Sequence, residues 1–507
     1  MLFARVVETS ERVTATSKRL EKIALLAALA RQLNGDECEI AVAYLCGFAR
    51  QGRIGVGYAA IRASAAPPAE TAALEIADVD RAFASLAGIQ GRGADAQRRE
   101  LLRGVMARAT APEQRFLSAL LFGEIRQGAL EGVMVEALAR ASGASADAVR
   151  RAVMLAGDIA RVARSVLTEG PAGLARYTIQ LLRPMQPMLA QTAEDVEGAL
   201  GEMGEAALEF KFDGARVQAH RRGGDVVVFS RALNDVTAAA PEIVEAVRAL
   251  PGGDLILDGE IVSLTPDGRP QPFQVTARRF GRKLDLERMR AELPLTPYWF
   301  DLLYLDGQPL IDEAQARRFS ALSSLAPAEC LVPHLVTADS EKGAEFLRLA
   351  LDRGNEGIMA KAPGASYAAG SRGQSWLKIK RAHTLDLVIL AAEWGNGRRQ
   401  GWLSNLHLGA RDTEKGGFAM LGKTFKGLTD EMLAWQTEQF LKLEIGRDSY
   451  TVYVEPKIVA EIAFSDIQVS TRYPSGMALR FARVKRYRPD KTAAEADTVD
   501  TVRKLAG

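Results

Sequence analysis

The chain has 507 residues, 48% hydrophobic and 25% charged. That length exceeds one ordinary core and predicts about three domains, and the composition is globular, which excludes disordered and fibrous classes. The formal net charge is only +2, so any nucleic-acid contact has to come from local clusters of charge.

No run approaches ~18 consecutive apolar residues, so no membrane span is predicted. The opening MLFARVVETSERVTATSKRL lacks an apolar core followed by a small-residue cleavage site, and no secretory signal is expected. Cys38, Cys46 and Cys330 contain no C-x-x-C pair, which argues against a zinc ribbon or redox dithiol and for buried thiols in a reducing compartment. The four histidines form no ligand pattern.

Residues 1 to about 170 are rich in Ala, Leu, Arg and Glu. LEKIALLAALARQL and GVMVEALARA carry apolar residues at helical spacing, and QGRIGVG, SAAPPAE and ATAPEQ interrupt the pattern. An all-α domain over 1–170 is predicted, with a linker over 171–182. The prolines of LLRPMQPMLA continue the linker or open a first strand.

From 183 to 383 short strand-like runs alternate with helical stretches. LEFKFDGARVQAH, DVVVFSR, LILDGEIVSL, YWFDLLYL and EGIMAK enclose APEIVEAVRAL and EKGAEFLRLAL. This texture predicts an α/β or α+β domain, of which α+β is the expected fold class. Residues 384–507 return to strands, in LDLVILAAEW, LHLGAR and YTVYVEPKIVAEIAF, around one helix at LTDEMLAWQTEQFLKL. A small β-barrel of the oligonucleotide-binding type is the expected third domain.

The chemistry starts at Lys211, in Glu209-Phe210-Lys211-Phe212-Asp213-Gly214-Ala215-Arg216. A lone lysine on a strand is ordinarily solvated, but K-x-D-G-x-R fixes four positions. A lysine that attacks phosphorus must be a neutral amine, which calls for desolvation or neighbouring positive charge such as Arg216 and later lysines. Gly214 would allow a tight turn and close approach to a nucleotide.

Further segments follow in order: Ser230-Arg231, Asp258-Gly259-Glu260, Phe300-Asp301, Glu356-Gly357, Lys378 with Lys380 in WLKIK, and Arg480 with Arg483 in LRFARVKRYRPDK. Together they resemble the ordered motifs of the covalent nucleotidyltransferases: ATP-dependent DNA ligases, RNA ligases and mRNA-capping enzymes. Ala482 stands where such families often carry Pro. GNGRRQGWLSN, GKTFKGLTD and the helical first block, with QGRIGVGYAAI and IRQGALEGVM, narrow the resemblance to DNA ligases. The form it resembles most is the compact bacterial and archaeal one, type B in actinobacteria. The four-cysteine module of NAD-dependent ligases is missing.

The resemblance implies ATP as AMP donor, Mg²⁺ as metal and nicked duplex DNA as partner, gripped by a helical DNA-binding domain, an adenylation domain and a barrel. It assigns Lys211 as the AMP-carrying nucleophile and Glu209 as acceptor from the adenine amino group. Phe300 stacks on the base. Glu260 and Glu356 hold ribose or metal, and Lys378 and Lys380, on one strand face, meet the α-phosphate. Arg216 and Arg231 contact AMP or the 5′-phosphate. Arg372 joins the ATP site and Arg480 grips pyrophosphate. A monomer in the cytoplasm, beside the nucleoid, is expected for a bacterial or archaeal chain, and clamp or repair partners are not readable. The rival readings are an RNA ligase or guanylyltransferase, and a DNA-binding scaffold with a degenerate core.

Overall fold

The computed structural model describes residues 1–507 apart from 53, 92, 126–129, 281–285, 369–374, 381–382 and 507. It divides into two compact units, Met1–Ile379 and Lys380–Gly507.

The first unit begins with helices, from Phe3–Ala15 to Ile159–Glu169. LEKIALLAALARQL forms Arg19–Ala30 and its following turn, and GVMVEALARA lies inside Leu130–Ser142. ATAPEQ does break the helical run, but its proline opens the next helix. Thr110 and Glu113 form a capping box, and Pro112 lies in the first turn of Ala111–Phe122, where its missing N–H costs nothing. Phe3, Tyr44, Phe83 and Phe116 meet in the core, mostly edge-on, with Phe3 5.7 Å from Phe116. Of the glycine-bearing segments QGRIGVGYAAI and IRQGALEGVM, Arg53 and residues 126–129 lie outside the described residues.

LLRPMQPMLA forms no regular element, yet it is firmly placed. Met185 and Met188 are buried, Met185 N–H donates to Gln218 Oε1 at 2.9 Å, and Gln186 N–H donates to Met154 O at 2.9 Å. Met154, from the helix Ala146–Ala156, packs with Met185, Met188, Ile256, Leu303 and Ile311 in one apolar cluster.

Among the described residues ten strands follow: β1 (Gln191–Thr192), β2 (Ala206–Lys211), β3 (Ala215–Arg222), β4 (Asp225–Ser230), β5 (Leu255–Ser263), β6 (Leu295–Leu305), β7 (Gln308–Pro309), β8 (His334–Thr337), β9 (Gly357–Lys361) and β10 (Trp376–Lys380). They make two sheets, ordered β1-β10-β9-β2-β8 and β4-β3-β5-β6-β7. Strand alternation sorts the first sheet. Leu208 and Phe210 of β2, Ile358 and Ala360 of β9, and Leu377 and Ile379 of β10 share one core. Glu209, Lys211, Met359, Lys361 and Lys378 therefore belong to the opposite face.

The second unit holds β11 (His383–Trp394), β12 (Leu403–Arg411), β13 (Phe418–Thr424), β14 (Glu444–Arg447), β15 (Thr451–Val454), β16 (Val459–Phe464), β17 (Asp466–Val469), β18 (Met477–Arg480) and β19 (Arg483–Tyr487). The long β11 pairs with β16 through its first half and β15 through its second, with β12 on its other edge. Val484 N–H donates to Lys426 O at 3.0 Å, returning β19 to the end of β13 and rounding the sheet into a barrel. The helix Asp430–Lys442, capped by Thr429, packs Leu433 and Phe440 into its core. A helical first block, an α+β centre and a strand-built barrel are the architecture the sequence predicts.

Candidate active site

Lys211 ends β2. Its Nζ lies 2.6 Å from Glu356 Oε2, and Glu356 N–H donates to Lys211 O at 3.0 Å. Register accounts for this, because Lys211 pairs with Gly357 and Glu356 is the residue just before β9. Asp213 and Glu260 complete the surroundings. Burial raises the Glu260 carboxyl to about 7, against the pull of Lys211 and Arg216 and with the push of Asp258 and Glu356. Burial also raises Asp213, although Phe273 N–H donates to it at 3.1 Å, and Glu356 adds to the rise. Three carboxylates thus face one ammonium, a distribution that calls for added positive charge.

Gly214 serves a purpose different from the expected one. A Cβ there would lie 2.4 Å from Ile261 O and 2.9 Å from Glu260 Cγ. Its bareness lets the loop after Lys211 close onto β5, bringing Glu260 toward the lysine.

Arg216 also departs from expectation. Its guanidinium binds Asp258 twice, at 3.0 and 2.7 Å, and donates to Met188 O at 2.7 Å. Tyr367 OH donates to the same Asp258 at 2.7 Å. The expected supply of positive charge to Lys211 is therefore largely answered by Asp258, and the arginine ties the buried Met188 segment to the sheets.

Phe300 sits at a β-bulge. Asp258 pairs with Asp301 and Gly259 with Trp299, leaving Phe300 unmatched on β6. It is half-buried, edge-on to Trp376 at 5.9 Å, with Met359 in the same apolar neighbourhood. Its neighbour Asp301 is buried against Arg318, with bonds of 2.7 and 2.9 Å.

Glu209 lies two residues before Lys211 on the same face, almost wholly buried. Lys361 Nζ stands 2.6 Å from its Oε2, and Oε1 has no hydrogen-bond partner. An acceptor left bare in the interior fits a donor from a bound molecule. The sequence singles out Asp258 without a role for it and gives none to Lys361, Tyr367 or Trp376. Period-two alternation along EGIMAK, which puts Gly357, Met359 and Lys361 on one face, is the signal for Lys361.

Lys378 and Lys380 alternate on β10 opposite Leu377 and Ile379, as expected. Arg231 is exposed in the turn after β4. Arg372 lies outside the described residues. Arg480 belongs to the second unit, where it ends β18, 3.6 Å from Asp466, and Arg483 is exposed on β19. Among the described residues no group of three or more His, Cys, Asp or Glu side chains could hold a metal unaided. Glu260 and Glu356 would need phosphate and water oxygens to complete a shell, the manner in which Mg²⁺ ordinarily binds. No described helix is long and apolar enough to cross a membrane.

Three family models match in order: DNA ligase N terminus over 49–139, ATP dependent DNA ligase domain over 187–380, and ATP dependent DNA ligase C terminal region over 399–491. A protein of Anaeromyxobacter sp. (strain Fw109-5) named "Probable DNA ligase" is 56% identical, covering 100% of this chain and 98% of its own. One of the same name from Mycobacterium marinum is 50% identical, covering 100% of both chains. The solved structure Pmar-Lig_PreS3 shares the fold, with a TM-score of 0.61 at 19% identity over 95% of this chain and 99% of that one. Matched from end to end, the chain belongs to the ATP-dependent DNA ligases.

Proposed function

We propose that Lys211 is the residue through which this DNA ligase carries AMP to a nick, and that Glu209, Phe300, Glu260, Glu356, Lys378 and Lys380 form its ATP site. The observation that carries this reading is one sheet face on which Lys211 and the bare Glu209 Oε1 lie two residues apart, with Phe300 and Glu356 beside them.

The family seals nicks through a lysyl-AMP intermediate. Here the base enters between Glu209 and Phe300, which sets the α-phosphorus near Lys211. The lysine proton has an acceptor at Glu356 Oε2, 2.6 Å away. Nζ then bonds to the α-phosphorus as the bond to the β-phosphate oxygen breaks and pyrophosphate leaves. Lys378 and Lys380 offer charge to the phosphorane-like centre. Mg²⁺ held by Glu260 and Glu356 would supply positive charge beside the triphosphate. AMP next passes to the 5′-phosphate of the nick, and the 3′-hydroxyl displaces it.

The division into a helical DNA-binding block over 1–170, a linker over 171–182, an adenylation domain over 183–383 and a barrel over 384–507 is part of the proposal. It is supported by the order of the family matches and the end of the helical run at Glu169. Arg231 is assigned to the 5′-phosphate because it is exposed on the edge of the second sheet, and Arg480 to pyrophosphate.

The test is transfer of label from α-labelled ATP to the chain, read on a denaturing gel. The parent should take up label and Lys211→Ala should take up none while its circular dichroism and melting stay cooperative. Label retained by the variant would place the nucleophile elsewhere.

A further inference from the structure

Lys361 is an ammonium in an interior position, 1% exposed, on the ligand face of the first sheet. Beyond Glu209 Oε2 it donates to Phe300 O at 3.1 Å and lies 4.5 Å from the Phe300 ring centroid and 4.3 Å from that of Trp376. One carboxylate oxygen, one carbonyl and two ring faces satisfy it, and no ligand group is needed. It leaves Glu209 with Oε1 as a single bare acceptor.

We propose that Lys361 sets the purine selectivity of this ligase by holding Glu209 as a carboxylate whose free oxygen Oε1 accepts a 6-amino group and repels a 6-oxo group. The inference rests on the reading that Glu209 faces the base. An ionised carboxylate only accepts hydrogen bonds, whereas a protonated one also donates and can bind a carbonyl oxygen. The proton on Glu209 therefore decides which purine fits.

Four groups face Glu209. Lys361 comes from β9, Asp301 from β6, Arg318 from the helix Gln315–Leu325, and His334 from β8, where it pairs with Glu209. Asp301 and Arg318 are locked to each other and largely cancel. Burial, with the Lys361 charge, lowers His334 to about 4, so the ring is neutral near pH 7. Among the described residues Lys361 is the one uncancelled charge facing Glu209. Burial pushes the Glu209 carboxyl up, and Lys361 draws it back toward ionisation. Without that ammonium the carboxyl keeps its proton at neutral pH.

The experiment is competitive self-labelling of the full-length chain with α-labelled ATP and GTP at saturating Mg²⁺, from pH 6 to 9. The ratio of the two nucleotides cancels effects common to both. In the parent, preference for ATP should fall several-fold from pH 8 to pH 6 as Glu209 gains its proton. Lys361→Met keeps the length and apolar contacts but removes the charge, and should reduce the ATP preference roughly tenfold or more at pH 7.5, with recovery toward pH 9. Glu209→Gln, whose amide donates at every pH, should relax selectivity without pH dependence. If Glu209→Gln leaves the preference unchanged, Glu209 does not face the base and the underlying reading fails. If Glu209→Gln relaxes it while folded Lys361→Met retains full ATP preference, the role given to Lys361 is wrong. Should Lys361→Met not fold, Lys361→Gln removes the same charge, and full ATP preference in that folded variant would overturn the proposal equally.

Discussion

Lys211 and Glu356 hold each other twice, through a backbone bond of 3.0 Å and an ion pair of 2.6 Å. The proposed nucleophile thus rests against an anion, with Asp213 and Glu260 close by, where the motif alone had suggested cationic neighbours.

A metal and pH dependence follows. Glu260→Gln and Glu356→Gln should each raise the Mg²⁺ concentration for half-maximal labelling roughly tenfold or more. Because burial lifts Glu260 to about 7, protons would compete with the proposed metal there. At limiting Mg²⁺, labelling by the parent should fall as pH drops through about 7, and excess Mg²⁺ should restore it. Acid loss that no Mg²⁺ concentration reverses would assign it to another group.

The helical block and the sheets are joined mainly by apolar packing. Met154 is buried among Met185, Met188, Ile256 and Leu303, whereas the Arg151–Asp312 pair, 2.5 Å apart, is 46% and 62% exposed. Met154→Ala should therefore cost about 2–4 kcal/mol in urea unfolding, and Asp312→Ala less than about 1 kcal/mol. The reverse ranking would mean that charge fastens the two parts.

What the sequence made legible and what it hid differ in range. Lys211, Glu209 and Asp213 fall within five residues, so their proximity was visible as a local motif. Helix starts such as Thr110–Glu113 were equally local. The partners of Arg216 were not. Asp258 is 42 positions away and Tyr367 is 151, and only strand register brings them together. The Glu209–Lys361 pair was hidden for the same reason, since the whole second sheet and β8 lie between β2 and β9 in the chain. Gly214 was correctly singled out, but its neighbour proved to be β5, and the clash a Cβ would make there is visible only in three dimensions.

Arg480 offers a way to separate steps. In the proposed reaction pyrophosphate leaves only when Lys211 takes AMP, so a cation that grips it should matter only then. Arg480→Ala should reduce labelling by ATP at least tenfold while sealing a nick that already carries AMP on its 5′ end at near the parent rate. Parallel loss of both activities in a folded variant would give the arginine a general role in DNA or site geometry.

The barrel carries a pH-dependent element of its own in Glu393. On β11 it accepts from Asn405 Nδ2 at 2.6 Å and from His407 Nε2 at 3.0 Å, both on β12, and it pairs with Lys423 on β13. Burial pushes its carboxyl up, yet the bonds from Lys423, His407 and Asn405 prevail and bring it down to about 2. Burial lowers His407, so that ring is neutral near pH 7 and its bond to Glu393 is not an ion pair. A carboxyl depressed in the folded chain contributes stability above its unfolded value of about 4.5, lost as pH falls toward about 2. With the side chain 24% exposed, solvent screening reduces that contribution to about 1–2 kcal/mol. Glu393→Gln should therefore be less stable than the parent by that amount at pH 7 in urea unfolding, and the gap should narrow as pH falls from 5 to 3. A gap that stays constant over this range would trace the loss to the shape of the three-strand contact and not to its charge.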